Sequence, residues 1–217
     1  MIKLAHLKPF AAGCKRECYV HPECKDKIIK IIPSDRSPEV LLSQKPWIRR
    51  VLQKPEAFDA NLGESRKFEQ LAKRYPDLNS TIPYLVQYFG KVQTDLGEGI
   101  VVQAIRNIDG TISQTVEDAA ESDASQPLAY DKATLLDAIK PIESTRNDAT
   151  IYNDVGENNI VIQKLNANPT SPKYKFWVID GIDCRALVPI TEYLGFYARI
   201  RKAKKLWQLK RYIKKNF

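Results

Sequence analysis

The segment "ECYVHPECKDKIIKIIP", residues 17 to 33, constrains the fold more than any other stretch. Its two ends alternate or run apolar over lengths suited to strands, and "HPECKD" between them is a cluster of turn formers, so the segment reads as a β-hairpin. Pro33 ends the second strand, because a proline nitrogen cannot donate to a ladder. Any architecture for this chain must therefore contain an N-terminal antiparallel sheet.

The flanking residues extend it. Residues 4 to 32 read as strand, loop, strand, turn, strand, with the loop at "FAAGCKRE". A surface connection runs from Ser34 to Pro55 and includes a short helix near "PWIRRVL". In "EAFDANLGESRKFEQLAKRY" the residues Phe58, Leu62, Phe68, Leu71 and Ala72 lie close to helical spacing, which predicts an amphipathic helix ended before Pro76 and weakened at Gly63. Two further strands, in "IPYLVQYFGKVQT" and "GIVVQAIRN", are joined by the turn signal "DLGEG". From Thr115 to Ile142 the pattern is helical, clearest in "YDKATLLDAIKPI", and two apolar runs then bracket "KLNANPTSPKYK" as a small hairpin. The expected fold class is α+β. Residues 1–106 form an N-terminal lobe with one inserted helix, 107–114 a connector, 115–195 a small, mostly helical C-terminal lobe, and 196–217 a basic tail.

A chain of 217 residues can bury one sizeable core or two small ones without covalent staples. No apolar run reaches eighteen residues, and "MIKLAHLKPF" has neither the apolar centre nor the cleavage site of a secretory signal, so the expected location is the cytoplasm. Cys14, Cys18, His21 and Cys24 have a spacing that could close a zinc site in a compact loop, but strands would spread them apart, and they read as ordinary thiols. Nine of the 34 Lys and Arg residues fall in the last 25 positions, which hold no acid. The formal charge of +8 is therefore a property of the tail.

Transfer of a phosphoryl group to a hydroxyl asks little of a protein beyond positioning and charge neutralisation. It needs a carboxylate to take or orient the hydroxyl proton, oxygen donors for magnesium, a lysine for the phosphates and an acid to fix that lysine. Asp154 lies just ahead of a predicted strand and Asn159 immediately before it, so both can face one cleft. Asp180 ends the apolar run "FWVID", and Gly181 lets the chain turn after it.

Asp154-x4-Asn159-Ile160 resembles the catalytic-loop pattern of protein kinases and related small-molecule kinases, and "VIDG" resembles their metal-binding Asp-Phe-Gly segment, shortened. Lys30 resembles the phosphate-pairing lysine of the third strand, and "FAAGCKRECYVHP", with Gly13 and Arg16, resembles the loop over the phosphates. The ordered series "GCKRECYVHP", "IIKI", "VVQAIRNIDGTIS", "YNDVGENNIV" and "WVIDGID" is similar to the compact bacterial kinase-like family of PhoP regulatory network, or YrbL-like, proteins, from about Ala5 to Ile190. The resemblance implies a reduced protein kinase-like bilobal fold that binds ATP and Mg2+. Asp154 would be the catalytic base, and Asn159 and Asp180 would hold the metal. Gly13, Arg16, Lys30 and Glu64 would serve the nucleotide, with Gln103 and Ile105 placed at the adenine by position only. Glu64 is preferred to Glu69 as the partner of Lys30 because it is nearer the helix end that should face that lysine.

The departures narrow the function. The phosphate loop has one glycine, Tyr152 replaces the usual histidine, and Asn153 stands where many kinases have arginine, which argues against control by activation-loop phosphorylation. Only 34 residues follow Asp183, too few for a peptide-substrate platform, so a small-molecule or envelope-precursor hydroxyl is the expected acceptor. The alternative is a pseudokinase acting as a regulatory or membrane-associated scaffold. In the tail, Phe196, Ile200, Ala203, Leu206 and Trp207 fall on one side at helical spacing, with Arg201, Lys202, Lys204 and Lys205 on the other. Two readings stand for it: a helix docked on the second lobe, or an interfacial helix attracted to anionic lipid on the inner face of the membrane. No specific nucleic-acid module is recognised.

Overall fold

In the computed structural model the residues described are 1–123, 130–144, 155–168, 170–182 and 195–217. They form two compact units, one of Met1–Lys73 with Gln87–Ala104 and the other of Arg74–Val86 with Ile105–Phe217. The chain thus passes between units at three points. Residues 74–86, expected in the first lobe, belong to the second. So do residues 107–114, which are no free connector: Asn107 accepts the Lys164 N–H at 2.9 Å, Ile108 N–H reaches the Lys164 carbonyl at 3.0 Å, and both bonds lie within the second unit.

The first unit is built on a five-stranded antiparallel sheet of order β1-β2-β3-β5-β4. Its strands are β1 (Ala11–Ala12), β2 (Glu17–His21), β3 (Cys24–Ile31), β4 (Tyr88–Thr94) and β5 (Gly97–Gln103). The expected hairpin is present, with Cys18 opposite Lys30 and His21 opposite Cys24. The first strand differs from expectation. It is two residues long and lies inside "FAAGCKRE", because the Leu4 N–H is taken by the Asp95 carboxylate at 2.6 Å rather than by a ladder. Alternation along β3 and its neighbours sends Ile29, Ile31, Tyr19 and Val101 to one face, where they enclose Leu4.

Helices α1 (Pro38–Ser43) and α2 (Trp47–Leu52) occupy the surface segment after Pro33. A short 3-10 turn, Pro55–Phe58, precedes α3 (Ala60–Arg74). The helix expected from about residue 56 starts later because the Asp59 carboxylate captures the Leu62 N–H at 2.8 Å, satisfying a first-turn donor and fixing the start there. Asn61, Glu64, Ser65, Phe68 and Leu71 form the buried stripe of α3, and the Phe68 ring stacks on Tyr88 of β4 at 5.0 Å.

In the second unit α4 (Leu78–Thr81) leads into a segment lying beside β7: the Val178 N–H reaches the Tyr84 carbonyl at 2.7 Å. Strands β6 (Ile160–Lys164) and β7 (Tyr174–Val178) form the expected hairpin, and α5 (Val116–Asp123), α6 (Lys132–Ala138) and α7 (Lys140–Ser144) supply buried Val116, Ala119, Leu135 and Ile142. Asp131 caps α6 through the Thr134 N–H at 2.7 Å. The basic tail is helix α8 (Gly195–Asn216), docked through Leu206, Leu209 and Ile213, with Phe217 edge-on to Tyr130 at 5.6 Å. Its apolar phase corrects the sequence reading. Ile200, Ala203 and Trp207 are exposed, whereas Lys202, read as outward, is buried with Leu206. The stripe actually buried follows Leu206, Leu209 and Ile213, which continues beyond Trp207, the last residue of the expected stripe. Among the described residues no helix is long and apolar enough to cross a membrane.

Candidate functional site

The candidate residues of the first unit follow from the same alternation that builds the sheet. Ile29 and Ile31 take the core face of β3, so Lys30 between them projects to the other side, towards the α3 stripe. There its ammonium lies 2.8 Å from Glu64 Oε1. The second carboxylate oxygen, Oε2, accepts from the Arg16 guanidinium. Lys30, Glu64 and Arg16 are 4, 1 and 8% exposed, so two cations and one carboxylate meet almost out of solvent. Glu69 is exposed on the opposite side of α3. The choice between the two acids is thereby settled by helix phase: only Glu64 shares the buried stripe with Asn61 and Phe68.

Two residues that the sequence reading passed over complete this arrangement. Asn61, one turn before Glu64, donates Nδ2 to the Lys30 carbonyl at 3.0 Å and accepts from Arg16 at 3.3 Å. Arg36 donates to the Gly13 carbonyl at 2.6 Å, and the Gly13 N–H reaches the Arg16 carbonyl at 2.9 Å, closing the loop between β1 and β2. Asn61 had a usable signal, since a polar residue stood in register with Glu64 and Phe68. Arg36 had none, because its partner is a main-chain atom 23 positions away. Arg16, expected to serve the nucleotide, is buried against α3.

Gln103 ends β5 opposite Lys27, with its N–H bonded to the Gln87 carbonyl at 2.8 Å. Ile105 falls in the second unit, where its carbonyl accepts the Ser113 N–H at 2.9 Å. The main-chain pair assigned to adenine is thus divided between units, and the Ile105 carbonyl already has a partner.

The second unit carries candidate residues of its own. Pairing of Ile160 with Val178 puts Asn159 and Asp180 at the same end of the β6–β7 ladder, and the Ile179 N–H bonds the Asn159 carbonyl at 3.0 Å, extending the pairing by one step. Asp180 Oδ1 accepts the Gly181 N–H at 2.6 Å, and Gly181 has φ +78°, a left-handed conformation that side chains rarely adopt. Glycine therefore lets the chain turn directly after the carboxylate. Elsewhere in this unit the Glu117 N–H bonds the Glu157 carbonyl at 3.2 Å, and burial and then the Glu157 carboxylate raise the Glu117 carboxyl above its ordinary range. An amide and a carboxylate oxygen at one strand end are donors of the hard type that magnesium takes, so their chemistry fits that ion; among the described residues no group of three or more His, Cys, Asp and Glu gathers as a cation site. Asp154, the expected base, lies outside the described residues.

A sequence model of the PhoP regulatory network protein YrbL family matches residues 2–215. The chain belongs to that family. Its YrbL relatives include the proteins of Escherichia coli (strain K12) and Shigella flexneri, each 27% identical over 210 residues, which is 96% of this chain and 85% of theirs. Among solved structures, the crystal structure of the Rio2 kinase from Chaetomium thermophilum is similar, with a TM-score of 0.53 and 15% identity over 95% of this chain. The match spans 56% of that kinase chain, and at this identity it shows the fold alone. The YrbL assignment and the α+β kinase-like fold read from the ordered motifs are both borne out.

Proposed function

We propose that this YrbL-family chain binds ATP with Mg2+ and transfers the γ-phosphoryl group to a hydroxyl that is not on a protein. The observation that carries the reading is the buried Lys30–Glu64 pair: a lysine on the third strand held at 2.8 Å by a helix carboxylate. Glu64 and Asn61 hold the lysine from both ends, by its ammonium and by its carbonyl. A phosphate arriving at the ammonium meets a group that has already lost its rotamer freedom, which is the preorganisation phosphoryl transfer needs. Asn159 and Asp180 supply oxygens for the cation, and Asp154 takes the acceptor proton. Bound magnesium would neutralise phosphate charge.

Arg16 favours a second reading. By occupying Glu64 Oε2 it competes for the acid that orients Lys30, as suits a pseudokinase that retains the fold for binding or regulation. Thermal shift with ATP, with and without magnesium, and phosphate release against small-molecule and envelope fractions separate the readings. A magnesium-dependent ATP shift lost in Asp180→Asn but kept in Asp154→Asn, together with turnover lost in both, is the expected result. ATP binding without turnover across the acceptors selects the pseudokinase, and absence of any ATP shift rejects both.

A further inference from the structure

Helix α2 leaves its apolar residues in solvent. At 3.6 residues per turn Trp47, Ile48, Val51 and Leu52 share one arc, and they are 68, 52, 76 and 77% exposed. The inward position at its end goes instead to Gln53, whose side-chain Oε1 is buried with no hydrogen-bond partner. Burial alone selects the opposite arrangement, since an apolar arc gains by leaving water and a buried amide oxygen loses by it. Outward apolar contacts of this kind mark an interaction surface when they are contiguous.

Charge and size identify what covers it. Residues 45–55 contain Lys45, Arg49, Arg50 and Lys54 and no acid. Pairing the patch with its copy on a second chain would bring these cations together. The arc is also too small for a protein partner by itself, since a stable interface takes roughly 800 Å² from each side and a two-turn helix offers a few hundred at most. A surface of anionic lipid meets both conditions: it accepts shallow insertion of a few side chains and attracts the surrounding cations. Tryptophan is suited to the headgroup level. Lys45 lies over the Phe58 ring at 5.9 Å, so the start of the helix is tethered to the folded unit.

We propose that α2 docks the protein on an anionic membrane surface, inserting Trp47, Ile48, Val51 and Leu52 at the headgroup boundary with Arg50 and Lys54 at the level of the lipid phosphates. The surface uses no residue of the nucleotide site, so it stands or falls separately from the proposed activity.

The test is co-sedimentation of the full chain at low salt with vesicles of equimolar phosphatidylcholine and phosphatidylglycerol, beside vesicles of phosphatidylcholine alone. The expected result is binding to the anionic vesicles only, weakened about tenfold or more in Trp47→Ser/Val51→Ser by loss of apolar insertion and in Arg50→Glu/Lys54→Glu by charge reversal. Trp47→Phe retains binding but loses the blue shift of tryptophan emission that accompanies it. Equal binding by both double variants, no binding by the parent protein, or a solution dimer dispersed by Trp47→Ser/Val51→Ser would overturn the proposal, the last in favour of a contact between copies.

Discussion

Asn61 Nδ2 donates to the main-chain carbonyl of Lys30 at 3.0 Å, so α3 is tied to β3 at the backbone of the same residue whose ammonium Glu64 holds. The helix and the strand are thereby registered twice, once through a neutral bond and once through charge. Removing the acid leaves Lys30 and Arg16 buried without the carboxylate they share. Glu64→Ala is expected to cost the first unit about 3–5 kcal/mol, the range for breaking a buried pair from one side. Glu69→Ala, on the exposed face, should stay within about 0.5 kcal/mol. Urea denaturation of the two variants measures the contrast, and equal losses would show that helix phase does not govern the pairing.

Gly99 is required by packing rather than by turn geometry. A Cβ there would come 2.6 Å from Ile31 Cδ1, 2.9 Å from Ile29 Cγ2 and 3.0 Å from the Lys30 carbonyl oxygen. The first two contacts are side-chain ends that can shift, but the third is the backbone of the site strand. Gly99→Ala is therefore expected to destabilise the first unit by about 1–3 kcal/mol and to reduce any ATP-induced thermal shift. Gly13→Ala is the control for stability: its added Cβ would meet only the Arg16 carbonyl oxygen at an ordinary 3.8 Å, so the melting temperature should hardly move.

The Tyr19 hydroxyl donates to Glu17 Oε2 at 2.7 Å. Burial first, then the Glu17 bond and charge, push its pKa up to about 12. A raised folded-state value means that this contribution to stability is complete below the ordinary tyrosine pKa of about 10 and is lost as pH rises through about 12. Ultraviolet titration should show one phenol resisting ionisation until that pH, absent in Tyr19→Phe, and the variant should have a shallower alkaline loss of stability. Identical titration curves for the two proteins would contradict the buried Tyr19–Glu17 contact.

These contrasts show how far local pattern reaches. Strand alternation and turn chemistry were enough for the β2–β3 hairpin and for Lys30, whose apolar neighbours Ile29 and Ile31 announced both the strand and its odd face. The ordered motifs were enough for the family. What escaped were features set by partners distant in sequence: Asp95 pulling Leu4 out of a strand, Arg36 gripping Gly13, and Arg16 turning inward to Glu64. A side chain bonded to main chain leaves no trace in hydropathy. The same limit explains α2 and α8, where short apolar sets gave the helix but not the face that turns inward, since neighbouring elements decide that.

Helix α8 supplies the last contrast. Leu206, Leu209 and Ile213 are 3, 0 and 0% exposed, whereas Trp207, one position from Leu206, is 58% exposed and lies under the Arg211 guanidinium at 5.5 Å. The chain segment first read as a tail is thus part of the core of the second unit. Leu209→Ala removes fully buried methyl groups and is expected to cost about 2–5 kcal/mol, while Trp207→Ser should remain within about 0.5 kcal/mol. Deletion of residues 196–217 should unfold the second unit, so a truncated chain reports on stability before it reports on lipid. Hydrogen exchange followed across β6 and β7 checks this: protection kept after the deletion would mean that the unit folds without α8, and protection lost in Leu209→Ala but kept in Trp207→Ser would locate the anchoring face on the side of Leu209.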